Sequence, residues 1–480
     1  MTDVLPFYLA GRPTTGSGIL DVTHPYDGSL VASVSVPTAA QVEEAVAAAD
    51  GIRRTAARLS VGTRAEALMH VSRRITERLD EIAALITAEN GKPIKWARAE
   101  ATRGAATFRW AAEEVRREGG ELIRLDTETA MAGRAALVRR FPKGPVLGIA
   151  PFNFPLNLVA HKVAPAIAVG APIIVKPAPA TPLTALLLGE LLAETDLPAG
   201  MWSVLPVANE SMPGLVADER LPIISFTGSG PVGYSIMDAA PRKHVVLELG
   251  GNAAAVVCAD YSSPTDLDWA TTRIATFANY QGGQSCVSVQ RVLADRSVYD
   301  RVVEQLVDKV AAQVTGDPKA EATDVGPLVN EAAARRVEEW VDEAVAGGAK
   351  VLTGGTRDGA SYAPTVLVDV PADSRCATEE IFGPVLTITP FDGADEAFAL
   401  VNDSRFGLQT GVFTRDLRTA FAAHRELEVG GVVVGDVPSF RADQMPYGGV
   451  KESGVGREGL KYAMADFTYE RVLVLTGIDL

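Results

Sequence analysis

The chain has 480 residues, 47% of them hydrophobic and 22% charged, which indicates a globular protein too long for one compact core, so we expect two or three domains. A formal net charge of −15 argues against nucleic acid or an acidic membrane as the main partner. No apolar run reaches the roughly 18 residues that a membrane span needs.

The three cysteines of the chain, Cys258, Cys286 and Cys376, are too few and too scattered to form a disulfide framework. The chain start also lacks the basic and apolar regions of a signal peptide. We therefore predict a reducing, cytoplasmic location.

The first part of the chain predicts a strand over Leu30 to Val36 and then helices to about Glu118. Thr38 and Gln41 have the spacing of a capping box, in which each side chain satisfies a backbone donor at a helix start. The run from Asn90 to Pro93 predicts a helix end followed by a turn.

From Gly144 onward, short apolar runs alternate with stretches of helical pattern. The runs are Val146–Ala150, Pro172–Lys176, Ser203–Leu205, Pro222–Phe226 and Val245–Leu249. Such alternation predicts a parallel sheet covered by helices on both faces, whose ligands bind outside the carboxyl ends of the strands. The alternation restarts after Gly251 and continues to about Asp436, which predicts a second α/β domain.

Two further segments have strand-like patterns without a strand partner nearby in the sequence. They are Gly120 to Arg140 and the tail from Tyr469 to Leu480. Because an unpaired edge strand favours pairing with another chain, we expect these segments to take part in oligomerisation.

Cys286 lies on the glycine-rich turn Gln281 to Ser288, between a helical run and a strand-like run. Glu248 is a lone carboxylate in an apolar strand, where burial would be costly without a function. A cysteine near a base is the usual form of a thiol nucleophile, although many buried cysteines are only packing residues. Asn153 ends the first strand and can donate to a developing oxyanion, or it can be a turn residue.

Gly228 to Gly233 follows the fourth strand and opens a helix, where a dinucleotide fingerprint is expected. This fingerprint includes an acid about twenty residues further on, which holds a ribose hydroxyl. Glu248 has that spacing, so the pattern alone leaves Glu248 either as a ribose ligand or as the base for Cys286.

Together these residues resemble the aldehyde dehydrogenase superfamily. The motifs that carry the resemblance occur in order over nearly the whole chain: Pro151–Pro155, Lys176–Pro177, Phe226–Ser229, Leu247–Gly251, Gly283–Cys286, Glu379–Pro384 and Pro446–Gly454. The resemblance assigns Glu248 to the general base instead of the ribose ligand.

The resemblance implies oxidation of an aldehyde to a carboxylic acid with NAD or NADP, without a metal. The Cys286 thiolate would attack the aldehyde carbon, while the Asn153 side chain and the Cys286 backbone N–H hold the oxyanion. Hydride would pass to the nicotinamide, and water activated by Glu248 would hydrolyse the thioester. Lys162 matches a family position close to the base, where it can take part in proton relay.

The resemblance also implies a cofactor site and a substrate site. Lys176 would contact the adenosine ribose, Ser229 the pyrophosphate and Glu380 the nicotinamide ribose. The implied cofactor positions are Ile149, Ala150, Pro151, Phe152, Lys176, Pro179, Gly228, Ser229, Val232, Leu249, Glu380 and Phe382. NAD-preferring members often carry Glu at the position of Pro179, so both NAD and NADP remain open.

The closest resemblance is to the branch with lactaldehyde and non-phosphorylating glyceraldehyde-3-phosphate dehydrogenases. In the family, the positions of Arg103, His161 and Arg441 line the substrate tunnel. Potential cations there predict a small polar or anionic aldehyde, since Arg binds phosphate or carboxylate in a bidentate way. The alternative is that Arg103 and Arg441 form structural salt bridges.

The implied fold consists of two doubly wound α/β domains with a small β oligomerisation extension. We expect a Rossmann-like cofactor domain over residues 1–122 and 143–249, a catalytic domain over 250–465, and oligomerisation strands over 123–142 and 466–480, in a homodimer or homotetramer. Two other functions remain open: a CoA-acylating semialdehyde dehydrogenase, whose branch tends to lack the base at Glu248, and a catalytically silent binding member of the fold.

Overall fold

Residues 4–477 of the chain are described by a computed structural model. Residues 1–3 and 478–480, which belong to the predicted segments 1–122 and 466–480, lie outside the described residues. Among the helices of residues 4–477, none is both long enough and apolar enough to cross a membrane.

The N-terminal part of the chain consists of short antiparallel strands, four helices and two further strands. Its elements are β1 (Phe7–Leu9), β2 (Arg12–Thr14), β3 (Gly18–Thr23), β4 (Leu30–Val36), α1 (Ala39–Ala56), α2 (Val61–Glu77), α3 (Leu79–Asn90), α4 (Ile94–Arg117), β5 (Glu121–Arg124) and β6 (Arg134–Pro142). The capping box is confirmed, because Thr38 and Gln41 exchange both hydrogen bonds at the start of α1. Helix α3 ends at Gly91, whose φ of +76° is the left-handed conformation that favours glycine.

The next part of the chain alternates strand and helix as predicted. Its elements are β7 (Val146–Ile149), α5 (Asn157–Val169), β8 (Ile173–Lys176), α6 (Leu183–Ala193), β9 (Trp202–Val204), α7 (Met212–Ala217), β10 (Ile223–Thr227), α8 (Gly230–Ala239) and β11 (His244–Glu248). Strands β7, β8 and β9 are buried at every position, because helices cover both faces of the sheet.

These strands form the first sheet, with parallel neighbours in the order β9, β8, β7, β10 and β11. Successive connections run outward from β7 to β9 and then return to the other side of β7 at β10. The point between β7 and β10, where the order reverses, is where ligands of such sheets bind.

The second half of the chain builds another α/β unit. Its elements are β12 (Ala254–Val257), α9 (Pro264–Asn279), β13 (Arg291–Asp295), α10 (Tyr299–Ala311), α11 (Glu331–Ala346), β14 (Lys350–Thr353), β15 (Arg357–Asp358), β16 (Ser361–Tyr362), β17 (Thr365–Val368), α12 (Arg375–Thr378), β18 (Val385–Phe391), α13 (Ala394–Asn402), β19 (Phe406–Gly407), β20 (Gln409–Phe413), α14 (Leu417–Glu426) and β21 (Gly431–Val434). The second sheet has the order β14, β17, β18, β13, β12, β20 and β21, and only β14 in it is antiparallel.

The final part of the chain returns to the first sheet and then leaves it. Its elements are β22 (Val450–Lys451), β23 (Gly454–Val455), α15 (Leu460–Asp466) and β24 (Thr468–Thr476). Strand β23 pairs with β11, and Leu460, Met464 and Phe467 belong to the core of the first domain. A division by cores therefore counts residues 454–467 with the first domain, whereas the sequence pattern placed them up to 465 in the second.

The two strand segments that lacked partners in the sequence pair with each other. Strand β24 is antiparallel to β6 from Thr468 to Thr476, and β5 lies on the other side of β6. Each of the two segments therefore finds its partner over 300 positions away, as expected for strands without a partner nearby in the sequence, and a strand pattern does not reveal such a pairing. The fold is α/β, with two doubly wound domains and a small β extension, as predicted.

Candidate active site

A cavity of about 970 Å³ lies at the carboxyl ends of the first-sheet strands. Ile149, Lys176, Thr227 and Glu248 end four parallel strands and line it, and Cys286 lines it from the second domain. This volume is at the upper end of the range for small-molecule sites. The topology therefore brings the predicted thiol and the predicted base to one ligand site.

Cys286 follows a strained turn in which Gln281, Gly282 and Gly283 all have positive φ, from +59° to +70°. A Cβ at Gly283 would lie 2.0 Å from the carbonyl oxygen of Gly383, so only glycine fits there. The Cys286 sulfur lies 3.0 Å from the Tyr447 hydroxyl oxygen. Burial raises the pKa of Cys286 to about 12, against the lowering effect of the Tyr447 hydrogen bond.

Asn153 lies in the loop between β7 and α5, and its side-chain N–H donates to the carbonyl of Gln284 at 2.9 Å. This contact joins the loop to the cysteine turn. A primary amide has two N–H groups, so the second donor of Asn153 is available for a ligand.

The buried ion pair of Lys92 and Glu100 holds the loop that carries Asn153. Lys92 contacts the carboxylate of Glu100, donates to the carbonyl of Asn153 at 3.0 Å and lies 4.1 Å above the Phe154 ring. Glu100 in turn accepts from the backbone N–H of Leu156 at 3.0 Å. The backbone of the predicted oxyanion donor is thus fixed by charge-assisted hydrogen bonds.

Glu248 ends β11, is 4% exposed and has no hydrogen-bond partner for either carboxylate oxygen within residues 4–477. Burial, and then the charge of Glu458, raise its pKa well above 4.5. A Cβ at Gly448 would lie 2.9 Å from a Glu248 oxygen, so this glycine leaves room for the carboxylate. Glu248 is therefore a buried carboxyl group whose pKa lies above that of an exposed glutamate, which makes its carboxylate the stronger base.

Lys162 is fully buried and does not line the cavity. Its ammonium group donates to Thr227 at 2.7 Å and lies 3.6 Å from Glu458. Burial alone would raise the pKa of Glu458, but Lys162 and Arg441 outweigh it and lower that pKa to about 2. Lys162 thus forms a buried ion pair with Glu458, and its charge also acts directly on Glu248, where it lowers the pKa.

The predicted substrate residues form a connected cluster of charges. Arg441 donates to Glu458 at 3.0 Å, Arg103 lies 3.6 Å from Asp443, and His161 lies 3.3 Å from the same Asp443 oxygen. Arg103 and Arg441 also line the cavity, whereas buried His161 does not. The two arginines therefore form ion pairs and face the site at the same time, so the two alternatives for them are compatible.

The twelve predicted cofactor residues all line the cavity. Ser229 is the N-cap of α8, which brings a helix N-terminus suited to phosphate to the site. Lys176 donates to Asn209 at 2.7 Å, and burial lowers its pKa to about 8. Glu380 accepts from the Gly251 N–H at 3.0 Å, and burial raises its pKa to about 7. A helix N-terminus, an ammonium group and a carboxylate thus line one cavity, and these are groups of the kind that hold a nicotinamide dinucleotide.

Comparison with known proteins agrees with this site. A family model described as the aldehyde dehydrogenase family matches residues 13–473. The chain belongs to the aldehyde dehydrogenase family. The predicted family is confirmed, and this aldehyde dehydrogenase is an oxidoreductase that uses NAD or NADP.

Three similar proteins illustrate the relationship. The 3-sulfolactaldehyde dehydrogenase of Priestia aryabhattai is 41% identical over 470 residues, which cover 98% of this chain and 97% of the relative. The crystal structure of aldehyde dehydrogenase 21 from Physcomitrella patens with the reaction product succinate has a TM-score of 0.97 and 45% identity, and covers 100% of this chain and 99% of that one. The structure of glyceraldehyde-3-phosphate dehydrogenase GapN from Methanocaldococcus jannaschii with NADP has a TM-score of 0.90 and 36% identity, covering 95% and 99%.

Sequence reasoning did not single out four residues that line or support the cavity of this aldehyde dehydrogenase: Asn209, Asp443, Tyr447 and Glu458. Tyr447 lies in a motif that carried the resemblance, and a side chain with a hydroxyl next to two glycines could have marked it as a site residue. The other three gave none, because their partners lie between 17 and more than 300 positions away.

Proposed function

We propose that this aldehyde dehydrogenase oxidises a small anionic aldehyde, with Cys286 as nucleophile and the anionic group bound by Arg103 and Arg441. The observation that carries the proposal is that both arginines line the cavity that contains Cys286. Their chain positions, on α4 and in the loop after β21, are far apart, so only the fold brings them to the thiol.

The contacts of the two arginines support an anionic ligand. Burial lowers the pKa of the neighbouring His161, which favours its neutral form. The cations Arg103, Arg441 and Lys162 then face the carboxylates Asp443 and Glu458. Nη2 of Arg103 lies 3.6 Å from an Asp443 oxygen, beyond hydrogen-bond distance, and in the described part of the chain Nε of Arg441 has no acceptor. A carboxylate, sulfonate or phosphate on the aldehyde would supply charged acceptors to the two guanidinium groups.

The names of two relatives agree with this ligand class. One acts on a sulfolactaldehyde and the other was crystallised with succinate, and both compounds carry an anionic group. This support extends to the class of substrate and does not select one compound.

In the proposed first half-reaction, the thiol of Cys286 loses its proton and the sulfur forms a bond to the aldehyde carbon. The carbonyl electron pair moves to oxygen, where the free N–H of Asn153 and the Cys286 backbone N–H stabilise it. Among the hydrogen bonds of residues 4–477, none uses that backbone N–H, so it is available. When bound, the nicotinamide cofactor supplies the two-electron acceptor. Removing one oxyanion donor typically costs ~10²–10³ in kcat.

In the proposed second half-reaction, Glu248 takes a proton from water, which attacks the thioester carbon and releases the acid and the thiolate of Cys286. Burial raises the pKa of Glu248, which makes its carboxylate a stronger base than an exposed one. Lys162 and Glu458 are positioning residues, because their charges act on Glu248 in opposite directions and so set its pKa.

For cofactor choice, Pro179 lines the cavity close to Lys176, at the position where NAD-preferring members often carry Glu. Pro179 carries no carboxylate to repel a 2′-phosphate, and the Lys176 ammonium and Asn209 amide can donate to such a phosphate. The charge of Glu210 also acts on Lys176. We therefore propose that the enzyme accepts both NAD and NADP.

Oligomerisation through the β extension is also proposed. The three-stranded sheet leaves the outer edges of β5 and β24 open and exposes Leu122, Val472 and Leu473, each by more than half. An open edge with exposed apolar side chains favours association with a second copy.

A preference assay tests the substrate class. For an anionic and an uncharged aldehyde of equal length, we expect kcat/KM to favour the anionic one. Arg103→Met should reduce this preference about 10–100-fold, since hydrogen bonds to charged groups contribute ~1.5–3 kcal/mol. Arg109→Met, on the same helix but exposed, is the matched control and should leave the ratio unchanged.

Two further assays separate the alternatives. Cys286→Ala should abolish oxidation of every aldehyde while cofactor binding persists, and appreciable turnover would contradict the role of Cys286 as nucleophile. If the unaltered enzyme binds no nicotinamide cofactor, it is a catalytically silent member of the fold. Strict dependence of turnover on CoA would favour the acylating alternative. No anionic preference, or an unchanged one in Arg103→Met and Arg441→Ala, would remove the substrate proposal.

A further inference from the structure

The hydroxyl of Tyr447 contacts the sulfur of the proposed nucleophile. Its oxygen lies 3.0 Å from the Cys286 sulfur, and within the described residues it is the one hydrogen-bond partner of that sulfur. We propose that Tyr447 is a catalytic residue whose hydroxyl donates to the Cys286 thiolate and thereby stabilises it for attack. The proposal rests on the proposed role of Cys286 as nucleophile.

The direction of the hydrogen bond follows from the chemistry of the two groups. Burial and the neighbouring Cys286 raise the pKa of Tyr447 well above 10, so the phenol keeps its proton at neutral pH. A thiolate has no hydrogen to donate, so the ionised Cys286 can only accept from Tyr447. Because hydrogen bonds to charged acceptors are stronger than those to neutral ones, this contact favours the thiolate over the thiol.

The other groups that face the sulfur explain why a donor is needed. Glu248 from β11 and Glu380 from the loop after α12 both raise the pKa of Cys286, as burial does. Tyr280, on the preceding turn, donates to Ser285 at 2.9 Å and not to the sulfur. Arg441 is the cation that opposes these effects, but its charge is shared with Glu458. The Tyr447 hydroxyl therefore supplies a stabilising contact that the surrounding charges do not.

Tyr447 is held in place on three sides. Its backbone N–H donates to the backbone carbonyl of Glu458 at 3.0 Å, and its carbonyl accepts from the backbone N–H of Glu458 at 2.7 Å. The guanidinium of Arg441 lies 4.0 Å from the ring centroid, a cation–π contact. Val287 and Leu408 pack in the same small buried cluster. A hydroxyl fixed in this way is preorganised, so little reorganisation is needed when the thiolate forms.

The proposed step transfers no proton from Tyr447. The thiol proton leaves to solvent, the sulfur electron pair forms the S–C bond, and the C=O electron pair moves to oxygen. Tyr447 keeps its proton, and its hydrogen bond is strongest before attack, when the charge is on sulfur.

The test is alkylation of Cys286 by iodoacetamide between pH 7 and 9 in the full-length chain without cofactor, followed by peptide mass spectrometry. Tyr447→Phe removes the hydroxyl and keeps the ring under Arg441. Losing a hydrogen bond to a charged group shifts the thiolate equilibrium about 10–100-fold. Because thiolate nucleophilicity rises with pKa at a Brønsted slope of about 0.4–0.5, we expect alkylation about 3–15-fold slower.

Matched variants separate this role from loosened packing. Tyr234→Phe removes a hydroxyl that donates to the carbonyl of Lys451 in β22, four residues after Tyr447, and should leave the alkylation rate unchanged. If Tyr447→Phe does not fold, 3-fluorotyrosine at 447 keeps the shape, makes the hydroxyl a stronger donor and should speed alkylation. Unchanged or faster alkylation in Tyr447→Phe, or no acceleration by the fluorinated residue, overturns the proposal.

The outcomes also distinguish the two levels of inference. If Cys286→Ala is inactive and the alkylation rate does not respond to Tyr447, the Tyr447 role fails and the proposed function stands. If Cys286→Ala retains turnover, the proposed function fails together with any catalytic role for its partner.

Discussion

Lys92→Met should destabilise the protein strongly and impair turnover, although Lys92 does not line the cavity. The substitution leaves the Glu100 carboxylate buried and unpaired, since the ammonium is its charge partner. Breaking a buried pair in this way costs ~3–5 kcal/mol of the free energy of unfolding. It also removes the donor to the Asn153 carbonyl, so the proposed oxyanion donor shifts, and we expect kcat to fall at least about tenfold towards the ~10²–10³ limit for losing that donor.

Urea unfolding at fixed protein concentration measures the first effect. Because the chain has more than one core, midpoints of variants are compared under identical conditions instead of absolute free energies. Lys95→Met is the matched control: Lys95 forms an ion pair with Asp324 but is one third exposed, so its loss should cost at most ~1 kcal/mol.

A double variant separates charge from packing. In Lys92→Met combined with Glu100→Gln, no buried charge remains, and the Gln carbonyl can still accept from the Leu156 N–H. We expect this variant to regain at least about half of the lost stability. If Lys92→Met differs from Lys95→Met by less than ~1 kcal/mol and retains full turnover, the reasoning about the Asn153 loop is refuted.

Three other predictions follow from the charges and the surface. Glu248→Gln should give a burst of about one reduced cofactor per active site and then hydrolyse the thioester at least about 100-fold more slowly. In the unaltered enzyme the raised pKa of Glu248 should place the acid limb of kcat above pH 4.5, and a limb centred near pH 4.5 would contradict this. Glu458 has a folded-state pKa of about 2, below its ordinary 4.5, so its contribution to stability is complete above pH 4.5 and is lost as the pH falls towards 2. In Glu458→Gln the urea midpoint should therefore fall less steeply with pH over that range, and an equal pH dependence in the two proteins would disprove this contribution. Light scattering at micromolar concentration should find a dimer or tetramer, weakened by Val472→Glu on the exposed face of β24, whereas a monomeric unaltered enzyme would exclude the proposed interface.

Local features of the sequence predicted much of the fold. The alternating runs after Gly144 became β7 to β11, because short apolar segments bounded by Gly and Pro have few other stable conformations in a covered sheet. The capping box at Thr38 and the helix end before Gly91 depend on neighbouring residues only, and both are confirmed. The resemblance supplied Cys286, Asn153 and Glu248, which the structure brings to one cavity.

Long-range relationships could not be predicted in the same way. The partner of β24 is β6, over 300 positions earlier, and the local pattern of a strand contains no information about so distant a partner. Glu458 has the local sequence of a loop acid, but burial between Lys162 and Arg441 gives it a depressed pKa. Such groups acquire their properties from residues that only the folded chain brings close.

The return of α15 to the first domain has a consequence for how the protein is made. Leu460, Met464 and Phe467 complete a core whose other members come from residues 7–249. Domains generally fold during synthesis from the N-terminus onward, but this core lacks a wall until almost the whole chain has been translated. A fragment cut at residue 249 would expose that apolar surface and should aggregate, and during synthesis the first domain should depend on chaperones until its last helix emerges.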